Sequence, residues 1–120
     1  MSVTIEVQGA SRLQSLLGRL SGRIAAAVAE ETLAGAEAVA REAKALAPVD
    51  TGRLRASIEA LREGRTSAVV VARAPYAAFV EYGTRRMAAQ PFMRPAAQRA
   101  RAEVAARIGE AVRRETRAAA

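Results

Sequence analysis

The 120-residue chain contains no cysteine, no histidine and no tryptophan. Without cysteine there is no disulfide, no thiolate ligand and no cysteine nucleophile. Without histidine the usual general base and the commonest metal ligand are missing too. The lack of cysteine also fits synthesis in a reducing cytosol. Asp50 is the one aspartate and Lys44 the one lysine. No amino-terminal segment has the basic start and apolar stretch of a secretory signal, and no apolar run approaches the ~20 residues of a membrane span, so a soluble protein is expected. Rings are scarce as well. Tyr76, Phe79, Tyr82 and Phe92 are all the aromatic residues there are, and they share one window, "YAAFVEYGTRRMAAQPFMRPA" (Tyr76–Ala96), with two of the four prolines.

What is abundant is alanine, arginine and medium aliphatics. A chain of this length is expected to be one domain, residues 1–120. Small side chains bury little area each, at about 25 cal/mol per Å². The expected product is therefore a marginal monomer or a subunit completed by its neighbours. The net charge of +7 is uneven: residues 1–50 carry five basic and six acidic groups, residues 51–120 fourteen and six. A basic half invites a nucleic-acid reading; an arginine and alanine excess with a single lysine also fits a GC-rich genome.

Ser2–Val7 alternates polar and β-branched residues and reads as a short strand. Ser11 and Gln14 have capping-box spacing, and Leu13, Leu16, Leu17, Leu20, Ile24 and Val28 then recur at three and four residues as one helical stripe. The stripe runs less strictly to Leu46, where Pro48 ends it, and Ser21-Gly22 is the expected bend. Asp50 or Thr51 is placed to cap a short turn, with Asp50 also in reach of Arg53 or Arg55. Ser57–Glu63 and Ser67–Arg73 read as a hairpin around Gly64-Arg65-Thr66, the second run being the stronger strand and "SIEAL" alone compatible with helix. Pro75 and Gly83 bracket a short helix, with Tyr76, Phe79 and Val80 expected on its packed side. Thr84–Gln90 is a loop or arm. Pro95 opens a final helix to about Arg117, with Ala97, Ala100, Val104, Ile108 and Val112 inward and Glu103–Arg107 and Glu110–Arg114 as ion pairs. The fold class is α+β: a long N-terminal helix on a small antiparallel sheet, a short aromatic helix and a C-terminal helix.

Catalysis finds little support. Paired carboxylates would need Glu59, Glu63 or Glu81 to converge on Asp50, and nothing in the spacing demands it. Ser57 and Ser67 have no histidine to activate them, and "GRLRAS" lacks the second glycine and the lysine of a phosphate loop. No metal or cofactor site is indicated. Arginines around four rings could stack nucleic acid, which leaves a small basic nucleic-acid-binding protein, using the arginine-rich C-terminal half, as the alternative. The rings sit on a short helix rather than across a sheet face, however. That is a better position for plugging a core. A junction between subunits is the third explanation, because interface centres are rich in Tyr, Phe, Met and Arg; Phe92 and Met93 equally suit capping the final helix against the core, and both can hold at once.

Taken in order, "APVDTGRLRASI" (Ala47–Ile58), a hairpin, "YAAFVEYGT" (Tyr76–Thr84) and "QPFMRPA" (Gln90–Ala96) resemble a family of small tail-component proteins of long-tailed double-stranded-DNA phages. These stand at the neck between head and tail tube and are variously called minor tail, tail-completion or tail-terminator components. The residues matching the pattern are Val49, Asp50, Thr51, Gly52, Leu54, Tyr76, Phe79, Glu81, Gly83, Thr84, Pro91, Phe92 and Pro95, as fold and assembly residues. The resemblance implies a non-enzymatic virion protein, made in the host cytoplasm, without cofactor, metal or membrane. It implies a ring of about six subunits that meets head-completion or adaptor proteins on one side and the tail tube on the other. DNA would pass through its lumen without sequence readout. The same pattern occurs in prophage and gene-transfer particles. A subunit-contacting arm is expected from Arg85, Arg86, Met87, Gln90, Met93 and Arg94.

Overall fold

The computed structural model describes residues 3–8 and 22–119. The expected helix start at Ser11, its capping box, the leucine stripe through Leu20 and Ser21 of the expected bend lie outside the described residues. The element order is β1 (Val3–Gln8), α1 (Gly22–Leu46), α2 (Arg53–Ala56), β2 (Ile58–Arg62), β3 (Ser67–Ala72), α3 (Ala77–Tyr82) and α4 (Met93–Ala119). The class is α+β, with the long helix on a small antiparallel sheet as expected.

The valine run of β3 takes the centre of the sheet, in the order β1-β3-β2, with both pairings antiparallel. β-Branched residues suit a strand flanked on both edges, where the pleat is most crowded. The register aligns Val3, Ala72 and Ile58 in one row and Ile5, Val70 and Ala60 in the next. Val3, Ala72, Ile58 and Val70 are buried, while Thr4 and Glu6 point outward and are exposed. The inner face meets α1, which also carries α4 against it. Arg23 at the start of α1 reaches Glu115 near the end of α4 at 3.4 Å, so the two helices run antiparallel.

Small residues set how closely these helices approach. Gly35 on α1 and Val104 on α4, both buried, meet where the helices face each other. A Cβ on Gly35 would stand 2.8 Å from Val104 Cγ1 and 3.0 Å from its Cγ2. Valine is stiff at χ1, so the helices would have to part. Gly35→Ala is therefore expected to lower stability by about 1–2 kcal/mol in the native background. In a Val104→Ala background the same change should raise stability by up to ~1 kcal/mol, the helix-propensity gain of alanine over glycine. A double-mutant cycle in urea checks this; the same sign in both backgrounds would disprove the close contact.

The buried stripe of α4 runs Ala96, Ala100, Val104, Ile108, Ala111, with Ala97 and Val112 half-buried. It departs from the expected one at both ends, where Ala96 and Ala111 are buried in place of Ala97 and Val112. Glu103 and Arg107 do pair, at 3.9 Å. Glu110 pairs with Arg113 at 3.3 Å and Arg117 at 3.2 Å instead of with Arg114, which turns toward Glu115. Those of Glu103 and Glu110 are solvent-exposed contacts of small individual worth, while Glu115 is half-buried.

Candidate functional site

Phe92 and Met93 are fully buried and are among the largest such side chains of the core. They open α4, and a helix start carries backbone N–H groups with no partner of their own in the helix. Phe92 stands at the cap position, where serine, threonine, aspartate or asparagine would normally accept from those donors. Here the acceptor comes from α3. Glu81 Oε1 accepts from the N–H of Phe92 at 3.0 Å and of Met93 at 2.8 Å, and Oε2 accepts from the N–H of Arg94 at 3.2 Å. The fourth position is Pro95, which has no N–H to satisfy. A single carboxylate, 4% exposed, thus closes the whole helix terminus and meets the positive end of its dipole.

That requirement decides which way α3 faces. Ala77 and Glu81, four residues apart, are its buried positions, while Phe79 and Tyr82, three apart, are 46% and 61% exposed. Tyr76 and Val80 are half-buried. The rings of α3 were expected to plug the core; they point out instead, because six residues offer one inward face and Glu81 occupies it. The Arg94 guanidinium lies over the Tyr82 ring, 5.7 Å from its centroid, so Tyr82 is held in place from the neighbouring helix.

Gly83 follows with φ 78° and ψ 174°, a region essentially reserved for glycine. Its N–H donates to the Phe79 carbonyl at 2.8 Å. The segment Thr84–Gln90 then folds back on itself. Thr84 N–H donates to the Met87 carbonyl at 2.8 Å, Arg86 N–H to Thr84 Oγ1 at 3.2 Å, and Gln90 N–H to the Val80 carbonyl at 2.8 Å. It is a tied loop and not an extended arm. Arg85, Arg86, Met87, Gln90, Pro91 and Arg94 are all exposed. Met93, expected either in the same arm or beside Phe92 against the core, belongs to the core at 0% exposure, because the first turn of α4 points it inward beside Phe92.

The "VDTGRLRAS" motif is a second surface feature. Val49, Asp50 and Thr51 are exposed, Gly52 adopts φ 83° as the cap residue of α2, and Leu54 is buried. Asp50 neither caps nor pairs: among the described residues no hydrogen bond or ion pair involves it. Thr51 Oγ1 accepts from Arg53 N–H at 3.3 Å in its place, since the residue just before a glycine in left-handed conformation is the one whose side chain can turn back. Thr51→Ala should therefore cost about 0.5–1 kcal/mol, while Asp50→Ala should leave the thermal midpoint unchanged; a clear drop for Asp50→Ala would restore the cap to it.

An apolar groove of about 590 Å³ between β1 and α4, lined by Ile5, Val7, Val104 and Ile108 among others, has Glu6 and Arg101 as its charged members. Among the described residues no group of three or more potential metal-ligating side chains converges, and no helix is long and apolar enough to cross a membrane.

The role of Glu81 in α4 was legible in principle. An apolar residue at a helix start, a proline three positions on, and a single acid between Glu63 and Glu103 leave Glu81 as the one carboxylate of that stretch. Residues 11–83 match the family model HK97-gp10_like, described as "Bacteriophage HK97-gp10, putative tail-component". The match spans more than half of the chain and ends at Gly83, short of the loop and α4. No curated protein and no solved structure gives a significant match.

Proposed function

Because the chain belongs to the HK97-gp10-like family of bacteriophage tail components, and so to the virion, we propose that it is a non-enzymatic structural protein of the head–tail junction. It forms a ring of about six subunits that terminates or completes the tail, joins it to head-completion or adaptor proteins and to the tail tube, and leaves a channel for DNA. The observation that carries this reading is the knob made by Phe79, Tyr82 and Met87, apolar side chains held outward on a frame locked by Glu81 and Gly83.

Rings exposed on a rigid element cost solubility and are retained where they meet a partner. Three exposed arginines, Arg85, Arg86 and Arg94, border them, which is the composition of an interface centre and its rim. The arginine excess of residues 51–120 suits DNA passing without sequence readout, an attraction that salt removes. In this reading residues 1–120 act as one domain.

Light scattering across a concentration series, at low and high salt and after nuclease treatment, tests the ring. A species of about six subunits that persists in high salt is expected, with its symmetry visible by negative stain. Changing Phe79 and Tyr82 together to serine should dissociate it while moving the thermal midpoint by no more than a few degrees, since both rings are exposed. A monomer that carries nucleic acid at low salt alone would instead favour the nucleic-acid-binding alternative.

A further inference from the structure

Three acidic groups of α1 enter no ion pair among the described residues. Between Arg23 and Arg41 the helix carries these three, Glu30, Glu31 and Glu37, and no cation. Glu30 and Glu37 are exposed, and at seven residues apart they lie two turns apart on one face. Leu33 and Ala34, half-buried, fall between them. The face is a strip with an apolar middle and a carboxylate at either end.

The knob is the inverse. Its middle is Phe79, Tyr82 and Met87, and beside it stand Arg85 and Arg86, which have no ion-pair partner among the described residues. From Ala74 to Gln98 the sole acid is Glu81, buried against the start of α4, so the exposed charge of that segment is wholly positive.

We infer that the knob of one copy docks on the α1 face of the next, rings over Leu33 and Ala34, Arg85 and Arg86 against Glu30 and Glu37. The inference rests on the ring reading above and names the two surfaces that meet. Opposite charge arranged around matching apolar centres, both on one chain, commits the occupant to a second copy. The two surfaces are different patches, so the contact is head-to-tail and can close into a ring.

Two charge-reversed variants test it, Arg85→Glu with Arg86→Glu, and Glu30→Arg with Glu37→Arg. Each alone should associate roughly a hundredfold or more weakly than the native chain, because like charges then face each other. An equimolar mixture should reassemble, since every acidic knob finds a basic helix, and an even-numbered ring can alternate the two. A mixture as dissociated as its folded components, beside a native ring that forms, overturns the docking and leaves the ring reading standing. The absence of native cysteine gives a readout for weaker contacts. Ala34→Cys mixed with Met87→Cys under mild oxidation should cross-link at least about tenfold more than Ala106→Cys with Met87→Cys, Ala106 being an exposed position on the far helix. Equal yields overturn the docking; a preferred cross-link with no ring in solution overturns the ring reading and keeps the docking.

Discussion

Glu81→Ala is expected to lower the unfolding free energy by about 3 kcal/mol and the thermal midpoint by roughly 10 °C or more. The change removes one side chain but leaves three backbone N–H groups, those of Phe92, Met93 and Arg94, without an acceptor. A buried donor stripped of its partner costs its full desolvation, about 1–3 kcal/mol. Water admitted through the cavity would recover part of that, which is why the total is set well below the sum of three. Glu81→Gln keeps the shape and one acceptor oxygen but turns an amide NH₂ toward a donor and removes the negative charge at the helix dipole. It should fall between, at about 1–2 kcal/mol. Urea unfolding at neutral pH measures both. A native midpoint for Glu81→Ala would mean the carboxylate is not what holds the start of α4.

Gly83→Ala should be of similar size and differ in kind. At φ 78° and ψ 174° an alanine is held in a region costing about 1–3 kcal/mol. Its Cβ would also lie 2.8 Å from Ala89 N and 3.0 Å from Met87 O, backbone atoms that cannot swing aside as a side-chain end can. The fold can relieve this locally by releasing the loop, at the expense of the bonds Thr84 and Gln90 make. We expect a loss of about 2–4 kcal/mol in urea together with at least tenfold faster trypsin cleavage after Arg85 or Arg86. Unchanged cleavage and an unchanged midpoint would show that the loop does not press on Gly83. Read together, the two variants separate the cap from the loop: Glu81→Ala loosens α4, and Gly83→Ala loosens the knob's frame.

Much of the architecture could be read from one-dimensional pattern. Three adjacent valines, Val69 to Val71, mark the central strand because crowding on both edges favours β-branching. Pro48 ends α1 because it has no N–H to donate and biases Ala47 out of helix. Pro75 and Gly83 bracket α3, whose observed span is Ala77–Tyr82. These signals are local: each concerns a few residues and the torsions they allow, and so each is legible without knowing what lies across the fold.

The facing of α3 was not local. Hydrophobicity alone sends Phe79 inward and Glu81 outward, and the structure does the reverse. The reason lies eleven to thirteen residues along the chain, in the unpaired N–H groups that Phe92, Met93 and Arg94 bring alongside. Between the arm and the core, both open to Met93 from its sequence, the cap decided for the core, since it fixes the rotation of the first turn of α4. Glu110 likewise chose Arg113 and Arg117 over Arg114, a choice among rotamers on an exposed helix that spacing alone does not resolve.

By itself, then, the order of residues determined the elements, the α+β class and the exclusion of cysteine and histidine chemistry, because composition and torsional preference act residue by residue. Only the tertiary structure decided which faces point out. It placed Phe79 and Tyr82 at the surface, put Glu81 beneath α4 and let Gly35 admit Val104. Each of those outcomes is settled by unpaired backbone donors or by close packing, between groups that meet only after the chain has folded.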